Sequence, residues 1–225
     1  MFIGHAAVAL AAKPLAPRTS LALLLAAAFW VDMVWPVLLL FGIEQVRIEP
    51  GNTAFTPLEF VHYPWTHSLA AAIAWSVLFA LVFLRSGRRV AVILGLLVLS
   101  HWVLDAISHR PDLPLWPGSS TMVGLGLWNS VPATLLVECG MFAAGVWIYA
   151  RSAPSRDRTG TWAFWGLVGF LALAYLGNVF GPPPPNVQAI AIAGIAGGVL
   201  FTVWAWWADR HRGAKTNALP LAARA

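Results

Sequence analysis

Apolar residues run along this chain in long blocks separated by short polar stretches. Six blocks lie at about residues 20–42, 61–84, 90–108, 123–150, 162–180 and 187–208. Each is long enough to cross a bilayer, which takes roughly 20 residues per helix. A shorter run, residues 2–12, ends at Lys13-Pro14. It is too short to cross, and its basic residue follows the apolar run, where a signal peptide places its charge before it. This segment is expected to be retained as a half-membrane or interfacial helix. The pattern predicts an all-α integral membrane protein with about six transmembrane helices plus the short N-terminal helix. Residues 1–208 form one membrane domain, and 209–225 a basic cytoplasmic tail. Thr56-Pro57-Leu58-Glu59 reads as a capping box opening a short surface helix that ends before Pro64. Pro64 then opens the second span. Pro182 to Pro185 predict a stiff extended connector between the last two spans.

Composition sharpens this picture. Of the residues, 59% are hydrophobic and only 10% charged, against about 25% charged in soluble domains. The net charge of +5 comes from basic residues scattered over short loops, so nucleic acid is not an expected partner. Their distribution is ordered. Lys13 and Arg18, then Arg85, Arg88 and Arg89, then Arg151, Arg156 and Arg158, then Arg210, Arg212 and Lys215 fall in alternate connections. The intervening loops carry Glu44, Glu49 and Glu59 with only Arg47, then Arg110 with Asp112, then no charge at all beside the four prolines. By the positive-inside rule the C-terminus of this multi-pass protein is expected to be cytoplasmic. The thirteen tryptophans suit interfacial belts and helix packing. Cys139 is the single cysteine, which leaves no disulfide framework and no Cys-based zinc site. No internal repeat supports an inverted-repeat transporter.

Against this apolar background, His5, Asp32, His62, His67, His101 and Asp105 stand out. An unpaired ionisable side chain in hydrocarbon costs several kcal/mol. His101 and Asp105 are four residues apart on one helical face, their Cβ atoms about 5–6 Å apart. That spacing suits two ligands on one ion, or a His ligand oriented by a carboxylate. Counting ~1.5 Å per residue from the basic ends, Asp32 lies ~18 Å up its helix, and His101 and Asp105 ~17 and ~23 Å up theirs. His67 lies in the first turns of the descending second span, and His5 reaches ~12 Å or higher from the Lys13 turn. Four segments thus bring ionisable groups to the outer half of the membrane. A shared divalent metal accounts for the convergence; His and carboxylate donors suit zinc first, with manganese and iron as alternatives. On this reading His67, His101 and Asp105 bind the ion, and His5 and Asp32 complete its shell. His62 and His67 are expected to face the same pocket from either side of Pro64. His109 is expected in a solvated loop at the rim, Glu138 below the site as a packing or proton-handling group, and His211 in the tail.

The arrangement of His5, the acid in Val31-Asp32-Met33-Val34, His62-Tyr-Pro-Trp-Thr-His67-Ser68, Ser100-His101-Trp-Val-Leu-Asp105 and Leu115-Trp-Pro117 resembles the bacterial YdjM-like membrane-bound metal-dependent hydrolases. The resemblance covers about residues 1–118. Tyr63-Pro64 stands where the family has Arg-Gly, and one acid stands where it has Pro-Asp-x-Asp. The order of metal-type residues is also similar to soluble zinc phospholipase C enzymes. The resemblance implies a hydrolase of an ester or phosphoester in a lipid or lipid-linked substrate that enters from the membrane, with the ion activating a water. His62 and Asp32 are then the expected acid–base residues.

Two other classes fit the same residues. One is an accessory subunit of a larger membrane complex, its site degenerate and its tryptophans serving helix interfaces, pigments or lipids. The other is a metal or proton transporter with Asp32, Glu138 and the histidines along its path.

Overall fold

The computed structural model describes residues 1–213. Their helices are α1 (Ile3–Ala11), α2 (Leu21–Ala28), α3 (Trp30–Leu40), α4 (Pro64–His67), α5 (Leu69–Val82), α6 (Arg88–Ser108), α7 (Val131–Ser152), α8 (Arg158–Phe180) and α9 (Val187–Arg210). Two small antiparallel pairs decorate one end: β1 (Gln45–Ile48) with β2 (Leu58–His62), and β3 (Leu113–Pro114) with β4 (Met122–Val123). The expected all-α architecture holds, since these strands are short loop elements. Lys215 and the rest of the expected tail from residue 214 onward lie outside the described residues.

Four helices, α6 to α9, are long and apolar enough to cross a membrane, and the bent pair α2–α3 is a fifth candidate. The first apolar block is therefore two helices, with a 57° bend between them. The second block starts at Pro64 and is broken again at Ser68, whose hydroxyl accepts the Ala71 N–H and caps α5. That leaves α5 with 14 residues. The same capping chemistry starts α7, α8 and α9: Ser130, Asp157 and Asn186 accept the N–H groups of Ala133, Gly160 and Ala189.

One local expectation is corrected. Residues 58–62 are strand β2, and no helix starts at the Thr56-Pro57-Leu58-Glu59 box. The Thr56 hydroxyl accepts the Leu58 N–H across two residues, a local turn that competes with helix initiation. Leu58 to His62 then pair with Gln45 to Ile48.

The centre of the bundle is α1. Seven of its nine residues are buried, and it packs along α7, α6 and α2. Its alanines permit the approach, and Gly145 of α7 permits more: a Cβ there would meet the Ala7 backbone. On the other side, Gly194 and Gly198 of α9 form a Gly-x-x-x-Gly face against α3. A Cβ at Gly194 would sit 2.8 Å from Pro36 Cγ, and Gly198 lies beside Met33. This close contact positions the helix that carries Asp32.

At the basic end, Lys13 ties the elements together. Its ammonium, almost fully buried, lies 2.8 and 2.9 Å from the two Asp209 carboxylate oxygens and 2.9 Å from the Thr19 carbonyl. Asp209 also accepts the Tyr149 hydroxyl and the Leu21 N–H, so α1, α2, α7 and α9 meet on one carboxylate. Asp209 to Gly213, at the head of the expected tail, are held in place. The Arg212 guanidinium lies over Phe164 and Tyr149 and donates to the Ala153 and Gly160 carbonyls. His211 Nδ1 faces Asp157 at 2.8 Å.

Candidate metal centre

Five side chains from four segments converge in the bundle. His5 comes from α1, Asp32 from the first turn of α3, His67 from the end of α4, and His101 with Asp105 from α6. All are buried apart from Asp32, whose carboxylate is 33% exposed. Asp32 is thus the one member through which the cluster opens.

The tautomers follow from the partners of each ring. His101 Nδ1 lies 2.8 Å from the Ala28 carbonyl, which only accepts, so Nδ1 carries the proton. Thr66 Oγ1 donates to Glu44 Oε2 at 2.7 Å and so accepts from His67 Nδ1 at 2.6 Å. Both rings therefore turn Nε2 towards the carboxylates. The Ala28 carbonyl is free for this role because the chain bends immediately after it; an unbroken helix would take that oxygen for its own ladder.

Between the two Nε2 atoms and the two carboxylates, four separations decide what fits. His101 Nε2 is 3.1 Å from Asp105 Oδ2 and 3.5 Å from Asp32 Oδ1. His67 Nε2 is 3.4 Å from Asp32 Oδ1 and 3.7 Å from Asp105 Oδ2. Three of the four are longer than an N–H···O hydrogen bond, which spans about 2.7–3.2 Å. His101 Nε2 has no hydrogen-bond partner. A tetrahedral ion with bonds of about 2.0–2.2 Å sets its ligand atoms about 3.3–3.6 Å apart. Two of the four separations fall in that range and the other two lie within about 0.2 Å of it, and the donors, two imidazoles and two carboxylates, are those zinc accepts.

His5 stands on the other face of Asp105. Its Nε2 is 3.2 Å from Asp105 Oδ1 without hydrogen-bond geometry, and its ring stacks flat on His101 at 3.7 Å. His5, His101 and Asp105 form a second group of three donors that overlaps the first. The Met1 ammonium also lies against Asp105 Oδ1. Glu138, from α7, accepts the Phe2 and Gly4 N–H groups at 2.9 and 3.1 Å. It satisfies the start of α1 and so holds the helix that carries His5.

Two expectations are corrected. His62 does not share the pocket of His67. Neighbouring residues of an extended segment point to opposite sides, and since Tyr63 turns inward, His62 is left exposed over a separate surface cleft. His109 is no solvated loop residue but is buried. It packs on Trp128 with ring centroids 4.2 Å apart, and its Nδ1 lies 3.0 Å from Asp112 Oδ1. Burial holds its pKa below the usual imidazole value. Tyr63 donates to the same carboxylate oxygen at 2.8 Å.

Glu44 and Thr66 are the functional positions that sequence reasoning missed. Glu44 lies in the loop between α3 and β1, yet it is buried and accepts the Trp65 and Thr66 N–H groups as well as the Thr66 hydroxyl. The one sequence signal is the Thr66-His67 adjacency; the acid lies 22 residues away. Thr66→Val removes the acceptor for His67 Nδ1 while keeping the shape. Metal affinity should fall about 10- to 100-fold, as for other partners that orient a ligating histidine. Titration calorimetry with zinc checks it, and unchanged affinity would make this chain of bonds purely structural.

No family model, curated protein or solved structure matches the chain.

Proposed function

We propose that the chain is a membrane-embedded, zinc-dependent hydrolase acting on an ester or phosphoester of a lipid or lipid-linked substrate. The observation that carries this reading is the set of four His–carboxylate separations, three of them longer than hydrogen bonds and all four close to the edge length of a tetrahedral ion site. His67, His101 and Asp105, buried and oriented from behind, would hold the ion. A catalytic ion keeps one face open to water, and Asp32, the exposed member, stands on that face. When bound, the ion would supply Lewis acidity and a water that ionises near neutral pH. Asp32 would hold and accept the proton of that water, the role that His62 is too far round the surface to take. The burial of the other donors would exclude bulk solvent from the reacting side.

The residue pattern resembling the YdjM-like hydrolases over positions 1–118 supports the same class. In this reading the chain crosses the bacterial inner membrane six times, with α4 and α5 together as the second crossing. The basic connections lie in the cytoplasm. The cage then lies in the outer half of the bilayer, where a lipid substrate reaches Asp32 sideways.

The test uses the full chain in phosphatidylglycerol-containing vesicles, with zinc or with a chelator. Zinc-loaded protein should release a water-soluble headgroup product or a fatty acid, and the chelated protein should not. Asp32→Asn should lower the rate about 100-fold or more, the range lost with an acid–base group. Product release that ignores both the chelator and this substitution would overturn the proposal.

A further inference from the structure

At the basic end of the bundle, α8 and α9 leave a groove of about 390 Å³ lined by Arg158, Thr159, Trp162, Ala163, Trp204 and Trp207. It is remote in sequence from the metal centre and shares no residue with it. Its floor is fixed: Trp204 Nε1 donates to the Ala163 carbonyl at 2.9 Å, and the missing side chain of Gly166 makes room for the indole. Its walls are apolar and open, Trp162 being 72% exposed and Trp207 44%. Arg158, the first residue of α8, stands at the mouth.

The charges around this mouth are unequal. Asp157 is engaged by the Gly160 N–H and His211, and Asp209 by Lys13 and Tyr149. The Arg210 guanidinium lies over Trp206 at 4.8 Å, and Arg212 is buried against Phe164. Arg158 has no acidic partner among the described residues. An indole-walled groove between two membrane helices, at their interfacial end, is filled by lipid in a bilayer. A guanidinium at its mouth selects a phosphate, to which it can donate two parallel hydrogen bonds. Basic pockets between spans recognise anionic headgroups in this way.

We infer that the α8–α9 groove is a binding site for an anionic phospholipid, with an acyl chain between Trp162 and Trp207 and the phosphate on Arg158. The site would tie the protein to anionic lipid in the leaflet at its basic end, whatever the metal centre does.

The full chain, purified in detergent and delipidated, is titrated with phosphatidylglycerol or phosphatidylcholine, and bound lipid is read by native mass spectrometry. Phosphatidylglycerol should be retained in preference to phosphatidylcholine. Arg158→Gln should weaken its retention about fivefold, the contribution of one basic residue at a lipid surface, while phosphatidylcholine, whose phosphate is offset by its choline, should lose clearly less. Arg158→Lys should keep most of the preference, and Trp162→Ala, at an exposed position that the fold tolerates, should reduce retention of both lipids. Arg85→Gln, an exposed arginine in the α5–α6 connection, should change nothing. Equal losses in Arg85→Gln and Arg158→Gln would mean diffuse attraction to the basic end and overturn the site. So would undiminished retention in both Arg158→Gln and Trp162→Ala, or cross-linking between chains through Trp162→Cys that shows a second copy covering the groove.

Discussion

His101→Ala should abolish stoichiometric metal binding in the purified protein. The wild-type chain should carry about one divalent ion, and the variant's affinity should fall at least 100-fold. Loss of a mere orienting partner already costs about 10- to 100-fold, and His101 is itself a donor and the residue common to two overlapping groups of three donors. Its Nε2 contacts both carboxylates, at 3.1 and 3.5 Å, so no neighbour replaces it. Asp105→Asn should behave similarly while preserving volume, because it removes the charge that balances the ion. Inductively coupled plasma mass spectrometry on dialysed protein reads the content. Thermal unfolding gives an independent readout: an ion present at about 100 times its dissociation constant adds about 2.7 kcal/mol of stability. Zinc should therefore raise the melting temperature of the wild type and leave that of His101→Ala unmoved. Full zinc content in both variants, with the fold intact, would show that the cage is a histidine–carboxylate packing motif.

Lys13→Met should lower the melting temperature by roughly 6–20 °C. Removing one partner of a buried ion pair costs about 3–5 kcal/mol, and each kcal/mol is about 2–4 °C for a chain of this size. The cost arises from Asp209, which would keep its Tyr149 and Leu21 donors but lose the one cation that hydrogen-bonds to it among the described residues. The carboxylate, without its bonded ammonium, would loosen the junction of α1, α2, α7 and α9. Lys13→Met with Asp209→Leu should recover much of the loss, since an apolar pair of similar volume avoids the desolvation of both ions. Arg89→Gln, an exposed change at the same end, should stay within about 0.5 kcal/mol of wild type. A Lys13→Met protein that melts with the wild type would remove the clamp from the account of stability.

The helical membrane class was legible because hydrophobic length is a local property. A block such as 187–208 must find its backbone partners within itself in lipid, so it becomes helix α9 with little help from its neighbours. The donors were legible for a related reason: His101 and Asp105 share a face four residues apart, and an ionisable group in an apolar run needs a partner wherever it lies. The short elements were not legible. Leu58 to His62 can begin a helix after Thr56 or pair as a strand, and the deciding partner, Gln45 to Ile48, is brought in by a separate loop.

By itself, then, the chain's order of apolar and ionisable residues determined a helical membrane protein and which side chains require one another. Only the tertiary structure decided how they meet. The bend after Ala28 frees a carbonyl for His101, and Glu44 reaches Thr66 across 22 residues to set the His67 tautomer. Packing turned His62 outward and His109 inward, and made Lys13, which reads as a topology signal, the buried centre of a four-helix junction. The physical reason is range. Helix formation and membrane insertion are summed over neighbours in sequence, whereas the orientation of a ring and the pairing of a charge depend on groups that only the packed bundle brings within about 3 Å.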